Sequence, residues 1–235
     1  MSYIKEAAES LLVWERDLFF ALNGSDSAFL DGVMWTISER LVWIPLYLFI
    51  LFLFFYKNST KTGIILTVFF ILVLVVGDQI SSSVIKPFFA RFRPTHHPDF
   101  ASLVDTVKGY RGGRYGFISG HATNSFALST FISLVYKNKY VTITTMLWAI
   151  LNSYTRIYLG VHFVSDIVGG ILVGTLIGIV LYHLCKYVCR RFGLATSEGI
   201  LLTNSLEGSN MLSMVLGSYV MVLVVFSPIL SHLPG

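Results

Sequence analysis

Residues 63–84 read GIILTVFFILVLVVGDQISSSV, and Lys86-Pro-Phe-Phe-Ala-Arg-Phe-Arg93-Pro94 follows two positions later. Asp78 is the one charge in the first stretch. A helix rises 1.5 Å per residue, so about 20 apolar residues cross the hydrocarbon core of a bilayer. Residues 63–84 meet that length and then end in strong cations. Charge held beside lipid is costly and usually has a function. Composition extends the point to the whole chain of 235 residues, which is 54% hydrophobic and 13% charged with a mean hydropathy of +0.71. A soluble domain carries roughly 25% charged residues. The expected fold is therefore all-α, a polytopic membrane helical bundle.

Six segments approach spanning length: 37–56, 63–84, 119–136, 141–159, 164–184 and 211–231. Ahead of them, Ile4, Ala7, Ala8, Leu11, Leu12, Leu18, Phe19 and Leu22 fall at helical spacing among charged residues. Residues 4–22 are too charged to span and are expected to form an N-terminal amphipathic helix in the interface. Asn23-Gly24-Ser25-Asp26-Ser27 reads as a turn, with a second short interfacial helix over 27–36. The organisation expected is one domain over 1–235: an interfacial region 1–36, a six-span bundle 37–231 and a long outer loop 85–118. Residues 1–20 mix Glu6, Glu9, Glu15 and Asp17 with apolar positions, unlike a cleavable signal peptide.

Loop charges orient the bundle. Lys57 and Lys61, Lys137 and Lys139, and Lys186, Arg190 and Arg191 all fall on one side, assigned to the cytoplasm. The other side is acidic near the N-terminus, yet the 85–118 loop carries Lys86, Arg91, Arg93, Lys108, Arg111 and Arg114. Cations kept on the outer face against the usual bias point to a functional need. The expected location is the cytoplasmic (inner) membrane, with the site facing the exterior. A net charge of +4 without a basic tail argues against nucleic acid. Oligomeric state is not readable. Cys185 and Cys189 are expected to be small buried or lipid-facing side chains, with membrane-proximal acylation as the other reading.

Three short stretches carry the chemistry. In the first, Lys86 and Arg93 suit an anion, since Arg offers a planar fork and Lys a point charge. Each is also an ordinary cation at a helix end. In the second, Ser119-Gly120-His121 opens a span, where free N–H groups attract anions and glycine permits close approach. Ser119 is equally a plain helix cap. His121 is placed to move a proton near neutral pH. In the third, Arg156 ends one span while His162 and Asp166, four apart, open the next. A carboxylate on one ring nitrogen leaves the other free to attack. A metal site and a simple cap at Asp166 are the competing readings.

Taken together, Lys-x6-Arg-Pro, Ser-Gly-His and Arg-x5-His-x3-Asp resemble the type 2 phosphatidic acid phosphatase (PAP2) superfamily, which holds membrane lipid phosphatases and soluble vanadium haloperoxidases. The resemblance spans residues 86–166 and implies a lipid phosphate substrate and no metal or other cofactor. It implies that His162 is a nucleophile forming a phosphohistidine, that Asp166 orients it, and that His121 protonates the leaving group. It implies that Lys86, Arg93, Ser119, Gly120 and Arg156 hold the phosphate. Ile118, Thr155 and Val164 depart from the family's usual Pro, Ser and Pro, which bears on loop rigidity more than on chemistry. Substrates of the undecaprenyl diphosphate, phosphatidylglycerophosphate, phosphatidate and lipid A types all fit. A lipid phosphotransferase or a catalytically silent relative would keep the same scaffold.

Other residues carry two readings each. Asp78 either pairs structurally inside its span, with Gln79 beside it, or shapes a headgroup site. His96 and His97 are expected in a solvated loop. Arg111 and Arg114, around Gly112-Gly113, either clamp a second phosphate or meet anionic headgroups. Tyr110 and Tyr115 suit an interfacial belt.

Overall fold

The computed structural model describes residues 13–203 and 205–231. Among the described residues, seven α-helices follow a helical stretch at 13–22. They are α1 (Ala28–Ser38), α2 (Ile44–Phe55), α3 (Thr60–Phe89), α4 (Gly120–Tyr136), α5 (Lys139–Tyr158), α6 (Val164–Arg191) and α7 (Ser205–Leu230). No strands occur among the described residues, only isolated bridges such as Phe92 with Tyr115. Residues 4–12 of the expected amphipathic helix lie outside the described residues.

Local sequence sets the helix starts. Ser59 Oγ accepts from Thr62 N at 3.1 Å to cap α3, and Asn138 Oδ1 accepts from Tyr140 N at 2.8 Å to cap α5. Within α3 the helix is α to Gln79, π over Ile80–Ile85 and α again from Lys86 to Phe89. Such widened turns cluster at functional sites. Here the turn sits between Asp78 and Lys86.

Three helices, α3, α6 and α7, are each long and apolar enough to cross a membrane, and α1 with α2 makes a fourth if that pair is one bent span. Their outer faces carry apolar side chains in the open: Val68 and Ile71 on α3, Leu172 and Leu176 on α6, Met221 and Val225 on α7. Exposure on that scale marks a lipid-facing surface, and the chain is an integral membrane protein. The sequence placed one span at 37–56. The structure instead bends by 68° between Ala28–Ser38 and Leu41–Phe55. Ser38, Glu39 and Arg40 interrupt the apolar run there. At 12 residues, α2 is about 18 Å long, short of a bilayer core. The expected spans at 119–136 and 141–159 are helical as α4 and α5. However, α4 has 17 residues, and α5 carries Thr145, Asn152, Ser153, Thr155 and Arg156 turned inward.

The bundle is built around α4, which packs on α3, α5 and α6. Gly170, Gly174 and Gly178 form a stripe along α6 that lets α4 approach its backbone. A Cβ at Gly174 would lie 2.3 Å from Thr123 O, and one at Gly170 would lie 2.8 Å from Ser119 O. Small residues at this spacing allow close helix contact in membranes. Gly174→Ala is expected to lower the melting temperature in detergent, through an overpacking cost of about 1–3 kcal/mol. Gly217→Ala, with nothing within 4 Å of the added methyl, should leave it unchanged. Cys185 and Cys189 are free and buried, as the plainer reading had it.

Candidate active site

Close packing of α4 on α6 brings two helix N-termini together. Ser119 N donates to the Asp166 backbone carbonyl at 3.0 Å, so the start of α4 is tied to the first turn of α6. Arg156 at the end of α5, Lys86 at the end of α3 and Ser38 at the end of α1 reach the same end of the bundle. Between α5 and α6 the chain reverses at Gly160, whose φ of +74 favours glycine. Val161 N and His162 N both donate to Arg156 O, at 3.1 and 3.2 Å. This turn fixes His162 against the end of α5.

His162 and Asp166 pair as their spacing required. His162 Nδ1 lies 3.2 Å from Asp166 Oδ2, and Phe163 N donates to the same oxygen at 3.0 Å. His162 is 1% exposed and Asp166 is fully buried. Burial, with Arg93, Arg156, Lys86 and Arg91 around it, holds the His162 imidazole well below the usual histidine range. It is therefore neutral at physiological pH. Its Nδ1–H faces the carboxylate, and Nε2 keeps its lone pair.

The cations gather as expected, each held differently. Arg93 Nε donates to Tyr115 O at 3.1 Å and Nη1 to Val161 O at 3.4 Å. Burial, then the neighbouring Arg156, push the Arg93 guanidinium down to about 10, still protonated at neutral pH. Arg156 Nη1 donates to Ser38 Oγ, Nη2 reaches Tyr110 OH at 3.3 Å, and Nε is buried with no partner. Lys86 Nζ would lie 3.6 Å from a Cβ on Gly120, so ammonium and glycine backbone face one another. Ser119 Oγ takes the capping role, accepting from Ala122 N at 3.4 Å. His121 Nε2 contacts Ser38 O at 3.1 Å. A proton on Nε2 donates there and leaves Nδ1 as the exchangeable nitrogen.

Arg91 and Glu15 are the residues sequence reasoning missed. Arg91 Nη1 bonds Asp166 Oδ1 at 3.0 Å, and Nη2 bonds Glu15 Oε2 at 2.6 Å. Glu15 Oε1 also accepts from Ser165 N at 3.0 Å. The helical stretch at 13–22 is thereby latched to the carboxylate that orients His162. Arg91 lay inside the first quoted motif, but nothing local tied it to Asp166, 75 positions away. Arg91→Leu leaves Asp166 buried without its cation, a cost of about 3 kcal/mol or more. The expected readout is a lower melting temperature together with a reduced kcat.

Several secondary expectations shift. His96 and His97 lie in the loop with intermediate exposure, and His97 stacks on Phe100 with ring centroids 4.0 Å apart. Tyr110 supports Arg156, whose guanidinium carbon lies 5.6 Å from the ring centroid. Arg111 and Arg114 stay exposed, and Arg114 lies over Phe92 and Tyr115. Among the described residues, no three His, Cys, Asp or Glu side chains cluster as a metal site would need.

A buried His–Asp pair lies ringed by four cations inside a bundle with lipid-facing walls. The sequence profile of the PAP2 superfamily matches residues 64–188, and the chain belongs to that superfamily. It is 46% identical over 184 residues to a lipid A 4'-phosphatase of Porphyromonas gingivalis, covering 78% of each chain. It is 35% identical over 175 residues to a lipid A 4'-phosphatase of Bacteroides thetaiotaomicron, covering 74% of this chain and 77% of the relative. A crystal structure of the PAP2-type phosphatidylglycerolphosphate phosphatase of Bacillus subtilis superposes with a TM-score of 0.59 at 22% identity, covering 76% of this chain and 88% of that one. This last likeness establishes the shared fold.

Proposed function

We propose that the protein removes a terminal phosphate from a lipid through a phosphohistidine on His162, and that its substrate is the 4'-phosphate of a lipid A-type molecule. The observation that carries the mechanism is the 3.2 Å contact of His162 Nδ1 with Asp166 Oδ2. It leaves Nε2 as the nucleophile in a ring of cations with more positive charge than Asp166 and Glu15 neutralise. The names of the two lipid A relatives support the substrate.

In this account Lys86, Arg93, Arg156 and the Gly120 N–H hold the phosphate oxygens, with Ser119 fixing the helix start behind them. Positioned cations supply most of the stabilisation in phosphoryl transfer. Nε2 attacks phosphorus, the bond to the leaving oxygen breaks, and His121 gives that oxygen a proton. Water then attacks the phosphohistidine, with His121 taking its proton, and phosphate leaves from a restored His162.

The wider architecture follows the same reading. Residues 1–235 act as one unit, with six membrane crossings and the N-terminal stretch in the interface. Loop charge supports an inner-membrane location with the site facing the periplasm. The test is phosphate release by purified protein from lipid A, undecaprenyl diphosphate, phosphatidylglycerophosphate and phosphatidate, with and without an acceptor lipid. Hydrolysis without acceptor, fastest on lipid A, is expected. Release that depends on an acceptor contradicts hydrolysis and marks a transferase.

A further inference from the structure

The turn that carries His162 is held at both ends by one segment from the far N-terminal side of the chain. At the α6 end the contacts come from a single face of the helical stretch at 13–22, since Glu15 and Phe19 are four residues apart. Phe19 is fully buried, and its ring stands edge-on to Phe163, the neighbour of His162, with centroids 5.5 Å apart. Glu15 Oε1 accepts from Ser165 N at 3.0 Å. Ser165 is the second residue of α6, so a distant carboxylate satisfies one of the free N–H groups at that helix start. Glu15 Oε2 holds Arg91, which bonds Asp166 Oδ1. The Arg91 guanidinium carbon also lies 4.5 Å from the Phe163 ring centroid.

At the α5 end the contacts come from the residues that follow that helical stretch. Asn23 Nδ2 donates to Tyr158 O at 2.9 Å and to Asp105 O at 3.0 Å. Asn23 Oδ1 accepts from Asp105 N at 2.9 Å, and Gly24 N donates to Tyr158 O at 3.0 Å. Gly160 lies directly under this joint: a Cβ there would stand 2.8 Å from Asp105 O and 3.3 Å from Asn23 Nδ2. Residues 158–166 are thus fixed at Tyr158 by Asn23 and Gly24, and at Phe163 and Ser165 by Phe19 and Glu15. His162 lies between the two anchors.

We propose that residues 15–24 form a clamp that sets His162 and Asp166 in their reacting positions, with Glu15 and Asn23 as positioning residues. The proposal rests on the phosphatase reading above, in which His162 attacks phosphorus. In that reading the phosphate is held by Lys86, Arg93, Arg156 and the Gly120 N–H, and the clamp touches neither phosphate nor leaving group. Its loss therefore lowers kcat and leaves KM nearly unchanged. A misplacement of about 1 Å at a reacting group costs on the order of 10²-fold in rate. Glu15 acts through Arg91 on Asp166, so its contribution disappears once residue 166 can no longer orient the imidazole.

The test is a double-mutant cycle on the purified full chain, with release of ³²P-phosphate from one 4'-phosphorylated lipid A as the readout. Glu15→Gln is near-isosteric and removes the charge that holds Arg91. It should lower kcat by about 10- to 100-fold with KM within about twofold of wild type. Added to Asp166→Asn, the same change should lower the residual kcat by less than about twofold, because residues that act as a unit are not additive. Asn23→Ala, which opens the other anchor, should lower kcat in the same sense. Unchanged kcat in Glu15→Gln overturns the clamp, and so does an equal fall in both backgrounds, which a merely structural role would give. A raised KM at unchanged kcat, or a fall in kcat that only follows a lost folded fraction in thermal melts, overturns it as well. Wild-type protein that releases phosphate from no lipid offered sinks the phosphatase reading and the clamp together.

Discussion

His162→Ala abolishes phosphate release from every lipid offered, a loss of at least roughly 10⁴-fold in kcat, as expected when a covalent nucleophile is removed. In the proposed mechanism the substitution takes away the nitrogen that bonds phosphorus, and no neighbour replaces it. His121 is held by Ser38 O at 3.1 Å, on the leaving-group side in this mechanism. Substrate is expected still to bind, because Lys86, Arg93 and Arg156, the residues proposed to hold the phosphate, remain. The expected pattern is therefore a collapsed kcat with lipid binding retained. Retained turnover in purified His162→Ala protein would exclude the mechanism.

Asp166→Asn is the second large effect, a fall of about 10³- to 10⁴-fold in kcat, in line with the loss when a triad carboxylate becomes an amide. Asp166 Oδ2 receives both His162 Nδ1 and Phe163 N, while Oδ1 receives Arg91. An amide has one acceptor oxygen for these three donors, and its N–H₂ would face either Arg91 or the imidazole. The imidazole then loses the tautomer that leaves Nε2 free, and the imidazolium-like transition state loses its counter-charge. A positioning defect lowers kcat at nearly constant KM, and a melting temperature close to that of the wild type separates it from misfolding.

Much of the site was legible in the sequence because its parts are local. The four-residue step from His162 to Asp166 predicts a shared face, and the structure pairs them. Lys86, Ser119-Gly120-His121 and Arg156 lie at helix ends, with Arg93 in the loop that follows Lys86, all at one end of the bundle. What was not legible depends on long-range packing. Arg91 was visible as a cation, but its bond to Asp166 and the latch from Glu15 join three separate parts of the chain. The bend after Ser38 was hidden because residues 37–56 are apolar enough to count as one span, and the polar Glu39 and Arg40 fell at its edge. The glycine stripe of α6 was readable at four-residue spacing. Its importance shows only against the backbone of α4.

The most direct test of the central claim is chemical trapping. Purified protein is mixed with a lipid A substrate carrying ³²P at the 4'-phosphate, quenched in alkali within milliseconds and digested with trypsin. The account predicts alkali-stable, acid-labile label on the peptide that begins at Ile157, localised to His162 and not His183, and no label in His162→Ala protein. Label on His121, or full turnover with no labelled histidine at any quench time, would contradict it.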